Sequence, residues 1–469
     1  MSQKQEFSLP APTGRSWRSV VSGLVYVFEN VMPDPFTLAI WLTLLVGAAA
    51  FCFAPHGSAQ TILTSWFDGT FNIVGFALQM ILIFATGYAI SDSPLAQRGL
   101  RALAAAAHTP TRAALLVVPV VAIASWFNWG VGLVGGALLA RAIAKRTRVD
   151  FAWLVAACYS GCAIVTNSGL SSSIALSQAS HGNALNLVEK ATGQLLPLSQ
   201  TIFAPFVYVP TILVTVIVTA IFIAIHPKAD KMVCFPQTAE RGADTAAAST
   251  DTAPREPAGN ASSFAGRLDR SVLGTAILVG FGAAYLGILW STKGFSLGIN
   301  TMILVFMLIG LALQRTPIAY VESIRRAAGQ TGAMLLQFPL YGGIMGIMSG
   351  TGLASVISSG FLLVATSATL PLWSYLSSLV ITLLIPSSGG HWAVQGPFVI
   401  PAALSLHADI ARTSMGVALA ENVSVLLQPF WVVPVVAIAG IRIQPVMAYT
   451  TIAFIVSLVV YAVALAPIF

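Results

Sequence analysis

Long apolar runs separated by short polar or basic stretches dominate the chain, in two sets on either side of residues 227–270. Runs at 35–53, 71–90, 201–225, 271–289, 297–313, 331–350 and 445–467 hold no charged residue. Each has roughly the 20 residues that a helix needs to cross a bilayer. Four other runs are interrupted by small and polar residues. The run at 113–140 breaks at Asn128-Trp129-Gly130, and that at 151–176 at Thr166-Asn167-Ser168-Gly169 and Ser171 to Ser173. The run at 371–406 breaks at Pro386-Ser387-Ser388-Gly389-Gly390-His391, and that at 413–440 at Glu421-Asn422. A backbone group left without a partner in hydrocarbon costs several kcal/mol, so such breaks persist only where they are buried in protein or line a wet cavity. The pattern predicts re-entrant hairpins at 113–140 and 371–406 and broken helices at 151–176 and 413–440.

The stretches between the runs set the expected topology. Residues 14–31 mix basic, aromatic and apolar positions, as an interfacial helix does. Residues 91–112 and 352–368 read as surface arms, 56–69 as a loop without Lys or Arg, and 177–194 as a polar loop. Residues 227–270, rich in Ala, Thr, Asp, Pro and Gly, read as a disordered linker. With hairpins that return to their own side, all but three of the 23 Lys and Arg (Lys190, Lys293 and Arg412) fall on one face. That face is then the cytoplasm, with the N-terminus (1–34) and the linker inside and the C-terminus outside. The fold expected is an all-α polytopic membrane protein of two inverted-topology repeats, 35–226 and 271–469. Each carries a hairpin and a broken helix, an arrangement typical of secondary transporters.

Composition agrees: 57% of residues are hydrophobic and 8% charged, against about 25% charged in soluble domains. The net charge of +7 does not point to nucleic acid, because the basic residues sit at helix ends instead of in one patch. Cys158 and Cys162 lie one helical turn apart without a nearby His or acid at metal-site spacing, and read as small packing residues. The polar N-terminus lacks the apolar core and cleavage site of a signal peptide. No cofactor is implied beyond a coupling ion.

The four breaks define candidate chemistry. Asn128, Trp129, Gly130, Asn167, Ser168, Ser387, Ser388, Gly389, Gly390, His391, Gln395 and Asn422 are candidate substrate-binding residues, offering helix N-termini, hydroxyls and amides suited to a carboxylate. None of the tips carries Lys or Arg, so a single carboxylate suits them better than a dicarboxylate or phosphate. Glu421, Asn422, Asn128 and Ser388 are candidates for the coupling ion. Glu421 with His391 suffices for a proton, while Asn and Ser oxygens with opposed carbonyls suit an unassigned sodium; both stay open. A passive channel would need a continuous wet pore. Ser388, His391 and Glu421 are also the residue types of a nucleophilic triad. Ser388, however, lies in a glycine-rich run and not on a strained elbow, and the first half has no His or acid in the matching cluster, so an enzyme is rejected.

Two stretches, PSSGGHWAVQGPFVIPAA from residue 386 and QPFWVVPVVAIAGI from 428, carry a family resemblance. With MPDPFTLAIWLTLL, WFDGTFNIVGFALQMILIFATGYA and NWGVGLVGGALLAR in the first half, they resemble the bacterial short-chain fatty acid transporter family, which includes the acetoacetate/butyrate carrier. The resemblance implies uptake of small monocarboxylates such as acetoacetate, butyrate or acetate across the cytoplasmic (inner) membrane by cation-coupled symport. The family is similar in architecture to the wider ion-transporter group of sodium–dicarboxylate symporters, which work as elevator-like dimers. By that analogy the chain forms a homodimer in the bilayer. The group's Ser-Asn-Thr signatures read here as Thr166-Asn167-Ser168 and Glu421-Asn422-Val423, a departure that bears on both sodium and dicarboxylate binding.

Overall fold

The computed structural model describes residues 35–227, 232–235, 263–428, 431–432, 435–436, 439–441 and 443–467. The expected interfacial helix at 14–31, most of the linker, Arg442 and much of the run after Gln428 lie outside the described residues. Where it is described, the chain is helical, with no strand. Among the described residues eight helices are long and apolar enough to cross a membrane, or nine if a pair bent by 78° counts as one span.

The first half comprises α1 (Pro35–Phe53), α2 (Ala59–Asn72), α3 (Val74–Ser91), α4 (Pro94–Ala106), α5 (Pro110–Phe127), α6 (Trp129–Ala144) and α7 (Phe151–Ala163). It continues through α8 (Ser173–Gln178) and α9 (Leu187–Thr192) to α10 (Pro205–Ala224). The second half comprises α11 (Phe264–Asp269), α12 (Val272–Lys293), α13 (Ile299–Gln314), α14 (Pro317–Ala328), α15 (Gly332–Thr351) and α16 (Leu353–Val364). It ends with α17 (Leu370–Leu384), α18 (Ser388–Ser405), α19 (Ile410–Ser424) and α20 (Ile443–Leu465). Many starts follow local rules. Ser58, Ser93, Thr109, Asp150, Ser271, Thr316 and Asp409 each cap the next helix through a side-chain oxygen. Pro94, Pro110 and Pro317 occupy first-turn positions where their missing N–H has no partner to lose.

Two expectations need correction. Residues 56–69 are not all loop: from Ala59 they form α2, which passes through Ile73 into α3 as one run of 33 residues. Its Ser, Thr and Gln read as loop chemistry, but packing decides otherwise. Gly69 lies so close to α15 that an added Cβ would sit 2.3 Å from the Gly342 carbonyl oxygen, and one on Gly346 would sit 2.0 Å from that of Ser65. Small residues let two backbones meet in this way inside membrane proteins. The linker, too, is not wholly unstructured, since α11 lies within it and residues 232–235 dock on α7. There Phe151 N donates to Val233 O (2.9 Å), Val233 N to Asp150 Oδ2 (3.0 Å), and the Phe151 and Phe235 rings meet edge to face.

Burial separates the helices into an inner and an outer set. The stretch from α7 through α8 is 94% buried, and that from α19 into its following 3-10 turn 83%. For α1 and α12 the figure is 17%, with Trp41, Leu45, Leu273 and Phe281 facing outward. Apolar side chains on the outside and polar ones within suit a lipid solvent. The contacts recur across the halves: α3 packs on α6 as α15 packs on α18, and α5–α6–α7 pack mutually as do α17–α18–α19. One apolar cluster runs through both halves and joins them.

Candidate functional site

The four breaks meet at the centre. Asn128 is the single residue between α5 and α6, and Ser387 starts α18 just after α17. Their backbones match (φ −153°, ψ 119° and φ −155°, ψ 117°). Asp150 and Asp409, which cap α7 and α19, match similarly (φ −65°, ψ 123° and φ −64°, ψ 111°). Asn128 and Ser387 stand as far apart in the chain as do Asp150 and Asp409. The same separation pairs Trp129 with Ser388, Cys162 with Glu421 and Thr166 with Val425.

All six of these paired residues line one cavity of about 80 Å³. Of the residues named from sequence, Trp129, Asn167, Ser387, Ser388, Gly389 and Glu421 line it. Ser388 and Ser173 hydroxyls are hydrogen-bonded across it, joining the second hairpin tip to the first broken helix. Met80, Met334 and Phe338 supply apolar wall, and Trp129 meets Trp431 edge to face at 5.5 Å. Trp431 is anchored in turn by its Nε1, which donates to Pro386 O at 2.7 Å. Neither Lys nor Arg is among the lining residues.

The other named residues lie behind this wall. Asn128 Oδ1 accepts from Gly130 N (2.8 Å) and Val131 N (3.2 Å), while its Nδ2 donates to Ile83 O (3.1 Å). Asn422 Oδ1 accepts from Asn167 N (2.7 Å) and its Nδ2 donates to Ser168 Oγ (2.9 Å), which ties the two broken helices together. Gly130 and Gly390 bring tip backbone against neighbours: an added Cβ would lie 2.9 Å from Phe84 O and 2.3 Å from the Tyr341 ring respectively. His391 and Gln395 are fully buried in α18 and touch the cavity only through Glu421.

Sequence reading passed over several cavity residues. Tyr159 and Cys162 look like core positions of an apolar helix, and Tyr159 Oη donates to Val425 O at 2.8 Å. Ser171 and Ser173 stood in a polar cluster that the sequence did not aim. Ser171 Oγ accepts from Trp129 N at 2.9 Å, joining the first tip to the first broken helix. Gln337, noted only as a polar position in its run, also lines the cavity.

A polytopic helical body with interrupted helices converging on a central, mostly apolar cavity with a few hydroxyl, amide and carboxyl groups defines a membrane transport protein. It has the fold of the Alcanivorax borkumensis YdaH transporter, whose crystal structure shows an unusual topology. The TM-score is 0.58 at 15% identity, over 92% of this chain and 98% of that one. The family model described as short chain fatty acid transporter matches residues 17–468, and the chain belongs to that family. Two relatives are provisionally named short-chain fatty acid transporters. One, from Escherichia coli (strain K12), is 37% identical over 92% of this chain and 96% of its own length. The other, from Haemophilus influenzae (strain ATCC 51907 / DSM 11121 / KW20 / Rd), is 31% identical over 93% and 96%.

Proposed function

We propose that the protein is a secondary active carrier that takes up small monocarboxylates such as acetoacetate, butyrate or acetate by cation-coupled symport. The observation that carries this reading is the central cavity, which offers hydroxyls, the N-terminal residues of α6 and α18, and no fixed cation. The hydroxyls and the partial positive charge of helix N-termini favour one carboxylate, while the Met, Phe and Trp side chains suit a short apolar tail. At about 80 Å³, the cavity is roughly half the 150 Å³ of an engineered cavity that takes benzene, which favours a ligand of few heavy atoms. The paired backbones at Asn128 and Ser387 support two inverted repeats, whose hairpins would open alternately to either side of the cytoplasmic membrane. In this reading the N-terminus and linker face the cytoplasm, and the chain pairs with a second copy.

The test is uptake of labelled acetoacetate and butyrate into proteoliposomes, measured against protein-free vesicles, with succinate as a competitor. Saturable uptake inhibited by other short monocarboxylates and unaffected by succinate is expected. Rates equal to those of protein-free vesicles would remove the assignment. Preference for succinate would move it to dicarboxylates.

A further inference from the structure

A line of buried polar groups runs from the cavity wall into α18. Glu421 lines the cavity, and its Oε2 lies 3.3 Å from His391 Nδ1. Their side chains are 2% and 0% exposed. Glu421 Oε1 has no partner among the described residues. On its far side His391 Nε2 is hydrogen-bonded to Gln395 Oε1. The Gln395 amide is oriented by its other end, where Nε2 donates to Ser374 O (3.1 Å) and Ser377 Oγ (3.1 Å). A carbonyl only accepts, so Oε1 must face His391 and Nε2 of the imidazole must carry hydrogen.

That constraint fixes the proton content of the pair. With Nε2 protonated, Nδ1 is either bare and accepts from a protonated Glu421, or protonated and donates to a carboxylate. Both arrangements place one proton in the Nδ1–Oε2 contact. The arrangement without it sets two lone pairs face to face at 3.3 Å, at the cost of an uncompensated buried charge. The pair therefore holds a resident proton. A substrate carboxylate that enters the cavity meets the other oxygen, Oε1. With the resident proton the pair is neutral overall, but in its ion-pair form Oε1 can only accept, so it and the substrate carboxylate face each other without a hydrogen between them. A second proton, on Oε1, turns that contact into a hydrogen bond.

We propose that the coupling ion is a proton carried on Glu421 Oε1, that it binds together with the substrate anion, and that His391 and Gln395 are positioning residues that keep Oε2 engaged. This rests on the carrier reading above and names its ion. One proton from water and one carboxylate enter as a neutral pair, and both leave on the other side. The first half offers no counterpart, since Cys162 occupies the position paired with Glu421. Of the other candidate ion ligands, the Asn128 and Asn422 side-chain oxygens already accept backbone N–H groups, and the Ser388 hydroxyl is hydrogen-bonded to that of Ser173. Titratable groups on the elements packed around the pair are Cys158, Tyr159 and Cys162 on α7, Glu189 and Lys190 on α9, Tyr341 on α15, Tyr375 on α17, and Tyr449 and Tyr461 on α20. The one carboxylate among them, Glu189, is held by His181, Gly182 N and Asn186 instead of facing the pair. At the outer end of α19, Asp409 and Arg412 belong to its first turn, with Asp409 capping Arg412 N.

The experiment uses the full chain in proteoliposomes with labelled acetoacetate, and subtracts protein-free vesicles because short carboxylic acids also cross bilayers as neutral molecules. Wild-type net uptake is expected to rise with external acidity, to be equal in sodium and choline media, and to deliver one proton per anion to a trapped pH dye. In Glu421→Gln, counterflow exchange should persist, while net uptake falls at least about tenfold and becomes insensitive to pH. Gln395→Leu should shift the pH midpoint of net uptake. Sodium-dependent uptake, no proton delivery by the wild type, or an unchanged pH profile in Glu421→Gln would each overturn the proposal; the wild-type proton count decides even if a variant fails to fold. Absence of wild-type counterflow would instead overturn the carrier reading itself.

Discussion

Asn422 offers the sharpest test of how the centre is held together. Its Oδ1 takes the Asn167 amide at 2.7 Å, and its Nδ2 reaches Ser168 Oγ at 2.9 Å, with Asn422 and Ser168 at most 1% exposed. Truncation to Ala removes both bonds and orphans a buried N–H. An unsatisfied buried donor costs about 1–3 kcal/mol and a lost neutral hydrogen bond about 1 kcal/mol, so Asn422→Ala should destabilise by about 2–4 kcal/mol. Ser168→Ala removes only the second bond and should cost about 1 kcal/mol. Because the two share a contact, the double variant should be less destabilised than the sum of the singles by at least about 0.5 kcal/mol. Asn422→Asp keeps the acceptor for Asn167 N and should recover part of the loss. The assay is reversible unfolding of the purified chain in mixed micelles, with transport measured on the same samples. Strict additivity of Asn422→Ala and Ser168→Ala would refute the idea that this side chain staples the two broken helices.

Other outcomes follow from local geometry. Asn128→Ala should cost more stability than Ser387→Ala, because Asn128 makes two cap bonds (2.8 and 3.2 Å) plus a third to Ile83 O, whereas Ser387 makes one at 3.4 Å; caps are worth about 0.5–2 kcal/mol. Phe338→Ala, which enlarges the cavity on its apolar side, should raise uptake of longer carboxylates relative to acetate in competition assays. Arg326→Ala breaks an ion pair with Asp92 whose side chains are 48% and 27% exposed. It should change stability by no more than about 1 kcal/mol, with uptake unchanged.

How far the sequence could be read depended on whether the signal was local. The breaks at Asn128 and Ser387 were visible because polar residues and glycine interrupt apolar runs, and the structure has helix ends there. The family, too, was legible in the run around His391. The helix at Ala59–Asn72 was not, because its stability comes from Gly69, Gly342 and Gly346, which are far apart in the chain. The same limit applies at the centre. Residue type marked Asn128 and Asn422 as candidate ligands, but where their side chains point is set by neighbouring backbone, and both face away into hydrogen bonds. Conversely, Tyr159 and Trp431 reach the cavity from apolar surroundings that give no polar signal.

The docking of residues 232–235 on the start of α7 changes what the connection between the halves does. Pinning that segment shortens the connection between the halves to two-thirds of its length, and closing a loop shorter by that factor saves well under about 1 kcal/mol of chain entropy. The docked segment matters instead where it lies, answering the second oxygen of Asp150 and the amide of Phe151 at the head of a deeply buried helix. The covalent link and the structural patch are thus separable. Two co-expressed chains divided after Phe235 should reassemble and transport, while a division before Met232, which removes the patch from the first chain, should weaken the seating of α7.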